Sequence, residues 1–321
     1  MEEKEKKEKA KKIKTIFFGT PKFGALVLEE LLRARQKPSL IITAPDKPAG
    51  RKKIVTPPEV KILAQKNKIP VIQPEKIKEI DREILKKINL DLGIIAAYSQ
   101  IIPKDIINIP EKGFLNVHPS LLPKYRGPSP IQSAIINNEQ KTGVTIILLD
   151  EKLDHGPIIA QEELKINQKK YSYDELEEKL AKIGGKLLVK IIPQWIKGRV
   201  EPKPQDDSKA TYTKKIEKED GEIDWSRPAE EIERKIRAFQ RWPGAFTFFK
   251  KNDKISKLKI IKAEVVDKNI SDKICVKCGQ NYLLIKKLQP EGKKPMGYKD
   301  FQNGYGQIII LRTKKRDANN S

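Results

Sequence analysis

The sequence predicts an α/β domain built on a doubly wound, mostly parallel sheet, followed by a smaller β-barrel domain. Three observations carry this. Isoleucine-rich blocks such as Leu40-Ile41-Ile42 and Ile94-Ile95-Ala96-Ala97 have the continuous apolar texture of strands buried on both faces of a parallel sheet. These blocks alternate with helical patterns, as in repeated strand–helix–strand units. Beyond about residue 211, after a single helical stretch, short alternating runs follow one another as in a small barrel.

Thr15-Ile16-Phe17-Phe18 begins the sheet, and Gly19-Thr20-Pro21-Lys22-Phe23-Gly24 turns the chain into a helix through Leu26, Leu28, Leu31 and Leu32. A phosphate-binding loop would carry Lys and then Ser or Thr after its second glycine, but Ala25 and Leu26 stand there. The G-x-G-x-x-G spacing is missing too, so nicotinamide or flavin binding is not supported. A strand over 39–43, a helix over 58–66, a strand over 70–72, a helix over 76–88 and a strand over 92–97 are predicted next. Leu115-Asn116-Val117-His118 alternates apolar and polar residues, so a strand there turns Asn116 and His118 to one face. A helix over 129–137, a strand over 143–149, a polar turn over 150–157 and a long amphipathic helix over 173–192 complete the first domain. Residues 198–210, with Pro202, Pro204 and several charges, read as a linker. The plan is therefore a charged tail over 1–12, a first domain over 13–197, a linker over 198–210 and a second domain over 211–321. In the last, a helix over 228–239 precedes Trp242-Pro243-Gly244-Ala245, and strands are predicted over 246–248, 258–261, 274–276, 282–288 and 308–311.

Composition narrows the function. The 321 residues are enough for two domains. Lys and Arg total 66 against 43 acidic residues, a net charge of +23 that favours an anionic partner, although a uniformly lysine-rich surface would produce the same balance. Residues 211–321 alone carry 26 basic against 15 acidic residues, so the barrel is a candidate nucleic-acid surface. The two cysteines, Cys275 and Cys278, lack a second ligand pair, so neither zinc nor a disulfide scaffold is expected. No apolar run approaches a membrane helix, and the charged start lacks the apolar core of a secretory signal, so a cytoplasmic location is expected.

His118 is one of only two histidines, followed by the proline-rich Pro119-Ser120-Leu121-Leu122-Pro123. It is either a hydrogen-bonded structural histidine or a catalytic one. Asp154 follows the next strand, where ligands of open α/β sheets bind, but equally fits a turn before Gly156. The chain has no Gly-x-Ser-x-Gly elbow, no cysteine near a histidine and no metal cluster. Asn116, His118 and Asp154 together would suit acyl transfer by direct attack. The amide and imidazole would face a developing oxyanion, and the carboxylate would orient the imidazole or help remove a proton through water.

The segment from Asn116 to Gly127, with Thr142-Gly143-Val144-Thr145 and Leu153-Asp154-His155-Gly156-Pro157-Ile158, resembles the signature of the 10-formyltetrahydrofolate-dependent formyltransferases. The resemblance implies a Rossmann-like first domain in which Asn116, His118 and Asp154 are catalytic and Ser120, Leu121, Leu122 and Pro123 line the folate site. It also implies backbone contacts to the pterin within Tyr98-Ser99-Gln100-Ile101-Ile102-Pro103, with 10-formyltetrahydrofolate as co-substrate and no metal. Ile223-Asp224-Trp225-Ser226, Arg237-Ala238-Phe239 and Trp242-Pro243-Gly244-Ala245 resemble the OB-like C-terminal domain of members that formylate the methionine of initiator tRNA. Ala44-Pro45-Asp46-Lys47-Pro48-Ala49-Gly50-Arg51-Lys52-Lys53 resembles their insertion loop, which implies tRNA contacts by Lys47, Arg51, Lys52 and Lys53. The likeness covers 13–312. It implies a monomer that transfers a formyl group to the free amine of initiator methionyl-tRNA.

Pro119 stands where relatives usually have glycine, and His155 where Thr or Ser is common. His155 either perturbs Asp154 or is surface variation. Formyltetrahydrofolate hydrolases and sugar-nucleotide formyltransferases share this architecture and remain open, as does a non-catalytic RNA-binding protein, in which the three polar residues would not converge.

Overall fold

The computed structural model describes residues 13–49, 54–167, 169–251, 254–306 and 309–311. The expected tail over 1–12 lies outside them. Packing divides the chain into two units, one of residues 1–126, 143–164 and 177–212, the other of residues 127–142, 165–176 and 213–321.

Along the chain run β1 (Thr15–Gly19), α1 (Lys22–Arg33), β2 (Leu40–Ile42), β3 (Lys47–Ala49), β4 (Ile54–Thr56), α2 (Glu59–Lys66), β5 (Val71–Ile72), α3 (Arg82–Lys87) and β6 (Leu92–Ala96). Then come α4 (Lys104–Ile107), β7 (Phe114–His118), α5 (Pro130–Ile136), β8 (Lys141–Leu148), β9 (Ile158–Lys165) and α6 (Tyr173–Ile196). The sheet of the first unit has the order β5-β2-β1-β6-β7-β8-β9. β1 pairs in parallel with β2 and β6, β6 with β7, and β8 runs antiparallel to β7. Ile16, Phe18, Leu40, Ile42, Ile95 and Phe114 share one buried cluster. The intervening Phe17, Ile41 and Ile94 are also fully buried, so the sheet is covered on both faces, as its continuous apolar runs require.

Strand order reverses between β1 and β6, which opens a crevice at their carboxyl ends. The Thr20 N–H donates to the Ala97 carbonyl there at 3.2 Å, and Ala97 is left-handed at φ +53°. On the sheet face opposite Asn116, α6 packs closely on β7. A Cβ at Gly184 would lie 2.6 Å from Val117 Cγ1, so only glycine admits this approach behind the site strand.

Several local readings are corrected. The expected helix over 76–88 is a 3₁₀ turn at Ile77–Glu79 followed by α3, because Asp81 is extended and its side chain accepts from the Glu83 N–H at 2.9 Å to cap a new helix. The stretch expected as a basic loop carries the antiparallel pair β3–β4, with Lys47 opposite Thr56. β9 and α4 were not foreseen. The 198–210 stretch, whose composition suggested a linker, exchanges backbone hydrogen bonds between Lys203 and Ile158 within the first unit.

The second unit contains α7 (Ala229–Ala238), β10 (Ala245–Lys251), β11 (Lys254–Val266), β12 (Cys275–Lys277), β13 (Tyr282–Pro290), β14 (Met296–Gly297), α8 (Tyr298–Tyr305) and β15 (Ile309–Leu311). Its strands form an antiparallel sheet in the order β12-β13-β11-β10-β15, half of a barrel, with β14 added to β13. Trp225 anchors the core at 1 % exposure, its indole N–H donating to Thr247 Oγ1 at 3.0 Å. Ile232 and Ile236 of α7 join Phe249, Leu283 and Phe301 in the same cluster. Cys275 and Cys278 are both thiols, and Cys278 is buried in this core with its Sγ–H donating to the Val276 carbonyl at 3.6 Å. Among the described residues no helix is long and apolar enough to cross a membrane.

Candidate active site

Strand β7 places Asn116 and His118 on one face, as its alternation predicts, beside the carboxyl end of β6, where Asn116 pairs with Ile95. Asp154 arrives from the loop between β8 and β9. The Asn116 amide donates to Asp154 Oδ1 at 3.2 Å. His118 Nδ1 faces the same oxygen at 3.6 Å, longer than a hydrogen bond. The predicted triad converges.

The imidazole is oriented from its other side. His118 Nε2 lies 2.9 Å from the Tyr125 carbonyl. A carbonyl only accepts, so Nε2 carries the proton and Nδ1 is the nitrogen turned towards Asp154. Tyr125 (φ +62°) and Asp154 (φ +47°) both have left-handed backbones, a conformation that costs a residue with a Cβ about 1–3 kcal/mol and persists only where the surroundings impose it.

Those surroundings are dense. The Leu148 N–H donates to the Pro157 carbonyl at 3.0 Å and closes the base of the Asp154 loop. Gly156 is obligatory, since a Cβ there would lie 1.8 Å from the Leu148 carbonyl oxygen. Gln205 donates to the carbonyls of Asp154 at 2.9 Å and Gly156 at 2.8 Å. Its Oε1 accepts from Arg126 Nε at 3.1 Å and Nη2 at 2.9 Å. Arg126 Nη2 also donates to Asp207 at 2.7 Å. The Arg126 guanidinium is 2 % exposed; burial opposes its charge, and the hydrogen bonds it donates to Asp207 and Tyr212 outweigh that and push its pKa up. The same contact from Arg126 holds the Asp207 carboxyl below its ordinary range. His155 Nδ1 lies 2.5 Å from Asp150 and its Nε2 3.4 Å from Asp207.

The stretch Ser120 to Pro123, implied as the folate wall, is tied to β8. The buried Thr145 hydroxyl donates to the Ser120 carbonyl at 2.7 Å and accepts from the Leu122 N–H at 3.0 Å and the Gln161 amide at 2.8 Å. Ser120 Oγ turns back to the Lys124 carbonyl at 2.7 Å, whereas Leu121 and Pro123 are partly exposed. In the stretch over 98–103, burial pushes the Tyr98 hydroxyl up to about 12, Gln100 is bonded to Ile77 and Glu75, and Ile101 is exposed.

Lys47 is exposed at the start of β3, and Arg51, Lys52 and Lys53 lie outside the described residues. Asp46 anchors the base of this insert by accepting from Gln73 at 2.8 Å and Lys61 at 2.7 Å, which together hold its carboxyl below the ordinary range. In the second unit, Lys257 Nζ sits 3.4 Å above the Phe246 ring, beside Phe248. Burial lowers the pKa of Lys257 and Lys259 there. Among the described residues no group of three or more His, Cys, Asp or Glu is arranged to hold a metal.

Sequence reasoning missed Arg126, Thr145, Gln161 and Gln205 as supports. Arg126 and Thr145 fall inside the quoted motif, whereas nothing local marks Gln205.

An amide, an imidazole and a carboxylate thus meet on the face of β7 in an open α/β sheet. The chain belongs to the formyl transferase family. The family model "Formyl transferase" matches residues 11–192, and "Formyl transferase, C-terminal domain" matches residues 215–306. The chain is 41% identical over 297 residues to methionyl-tRNA formyltransferase of Chloroflexus aurantiacus, covering 88% of this chain and 94% of the relative. It is 40% identical over 318 residues to the protein of that name from Geobacillus, covering 96% and 100%. A solved structure of methionyl-tRNA formyltransferase from Clostridium thermocellum shares the fold at a TM-score of 0.55 and 19% identity, over 87% of this chain and 98% of that one.

Proposed function

We propose that this formyltransferase moves the formyl group of 10-formyltetrahydrofolate to the free amine of methionine on initiator tRNA, giving N-formylmethionyl-tRNA and tetrahydrofolate. One observation carries the chemistry: Asp154 Oδ1 faces both the Asn116 amide and His118 Nδ1. The acceptor is supported by the names of relatives that match nearly the whole chain.

In this reading the amine nitrogen attacks the formyl carbon and a C–N bond forms. The formyl oxygen takes the negative charge and receives hydrogen bonds from Asn116 Nδ2 and, when both ring nitrogens are protonated, from His118 Nδ1. Donors aimed at a developing oxyanion are worth about 10²–10³ in rate each. Asp154 orients the imidazole and, through water, accepts the proton the amine loses. The tetrahedral intermediate then collapses, the bond to folate N10 breaks, and the proton that Asp154 accepted passes through water to N10. Ser120, Leu121, Leu122 and Pro123 form the folate wall, with Leu121 and Pro123 as its partly exposed members. Lys47, Arg51, Lys52 and Lys53 grip the acceptor end, and the basic domain over 211–321 holds the body of the tRNA. The first domain, over 13–197, is then the catalytic one. The protein acts as a monomer in the cytoplasm.

The test supplies 10-formyltetrahydrofolate with methionyl-tRNA, with a sugar-nucleotide amine, or with no acceptor. Tetrahydrofolate release matched by N-formylmethionyl-tRNA supports the reading. Formate release without an acceptor, or transfer to the sugar amine alone, refutes it.

A further inference from the structure

Nothing in the reaction outlined above explains Gln205, 51 residues beyond Asp154 in the chain. Its carboxamide uses all four of its bonding positions. The guanidinium of Arg126 can only donate, so Gln205 Oε1 must face it and the amide group must face the loop, which removes any ambiguity in the orientation. Both amide hydrogens then fall on the carbonyls of Asp154 and Gly156, at 2.9 and 2.8 Å. These two carbonyls flank the left-handed turn that aims the Asp154 carboxylate at Asn116 and His118. Arg126 is itself fixed by Asp207, and His155 Nε2 reaches the other oxygen of Asp207. The strap therefore has two arms: Gln205 grips the loop backbone, and His155 ties the loop through Asp207 to the same guanidinium.

We propose that Gln205, oriented by the buried Arg126, is the positioning residue for Asp154, with the His155–Asp207 contact as its second arm; the inference rests on the reading that Asp154 serves formyl transfer. Gln205 touches no reacting atom. It acts by holding the backbone from which Asp154 projects, and a displacement of about 1 Å in such a group is enough to cost roughly 100-fold in rate.

Gln205→Glu tests this selectively. The carboxylate keeps the Arg126 partner but sets acceptor oxygens against two carbonyl oxygens, so the fold is retained and the grip on the loop is lost. The expected result is a kcat for methionyl-tRNA formylation lowered by about 10- to 100-fold, with KM for both substrates within about two-fold and thermal unfolding still cooperative. Gln205→Ala serves as the second variant should Gln205→Glu misfold, and Gln205→Asn, too short to span both partners, should not rescue. A readout independent of turnover comes from the imidazole ¹⁵N resonances, easily assigned with two histidines in the chain. The His118 Nδ1 resonance should move in Gln205→Glu and in Gln205→Ala and stay in place in Lys203→Ala. A folded Gln205 variant whose His118 Nδ1 resonance does not move overturns the proposal, whatever its rate. A wild-type protein that does not formylate methionyl-tRNA refutes the functional reading instead, and the resonance test still decides the role of Gln205.

Discussion

The Asp154 loop and the β3–β4 insert are both polar excursions from the same sheet, yet they are supported in opposite ways. The loop closes between Leu148 and Pro157, is gripped through two carbonyls by Gln205, and is tied by His155 to Asp150 and Asp207. It holds Asp154 left-handed with a side chain only 12% exposed. The insert is anchored at its base by Asp46, and its described side chains Lys47, Pro48, Ile54, Val55 and Thr56 face solvent. Under the proposed function the difference separates two tasks. A group that meets a developing charge must be held to a fraction of an ångström, which needs an over-determined backbone. A basic surface that follows phosphates works through a field and tolerates a looser frame.

The largest effect should come from the over-determined side. Asp154→Asn should lower the formylation kcat by about 10²–10⁴-fold with KM for folate nearly unchanged, measured by steady-state kinetics. A drop confined to KM would place Asp154 in binding and erase the contrast. Thr145→Val comes next. It leaves the buried Leu122 N–H without its acceptor and the Ser120 carbonyl without its donor, so it should cost about 1–3 kcal/mol in denaturant unfolding and weaken folate binding.

On the insert, Lys47→Ala should raise KM for methionyl-tRNA by a few fold and reduce the salt slope of tRNA binding by about 1, leaving kcat intact. A loss of kcat here would mean that the insert shares in the chemistry. The smallest effect belongs to Glu175, which lies in neither region and serves as a control. The Lys169 ammonium, with the Ser172 N–H and hydroxyl, lowers its pKa from 4.5 to about 2. A depressed carboxyl contributes stability that is present above its ordinary value and is lost as pH falls through the folded one. Glu175→Gln should therefore flatten the acid limb of unfolding between about pH 4.5 and 2, with no change in formylation at neutral pH.

These supports differ in how visible they were before folding. The face shared by Asn116 and His118 was legible because strand alternation is a local rule, and the both-faced burial of β1, β2 and β6 was legible in their apolar runs. Asp154 could be weighed only through its position after the next strand and a motif, since a lone Asp before Gly reads as a turn. Gln205 carried no such signal, and the motif around Arg126 gave no sign of the partners it would meet. Their bonds span 51 and 79 residues, and a glutamine in a proline-punctuated, charged stretch reads as solvated linker until the chain closes around it. The β3–β4 pair was missed for another reason: strands of three residues, one opening on Lys-Pro-Ala, are too short for alternation to show.

The central claim is that chemistry resides in Asn116, His118 and Asp154 while acceptor recognition resides elsewhere in the chain. Single-turnover formylation at saturating methionyl-tRNA and 10-formyltetrahydrofolate, for wild type, His118→Ala and Lys47→Ala, tests it most directly. The account predicts that His118→Ala stays at least about 100-fold slow at saturation, while Lys47→Ala recovers the wild-type rate. Recovery of His118→Ala at high tRNA concentration, with Lys47→Ala remaining slow, would contradict it.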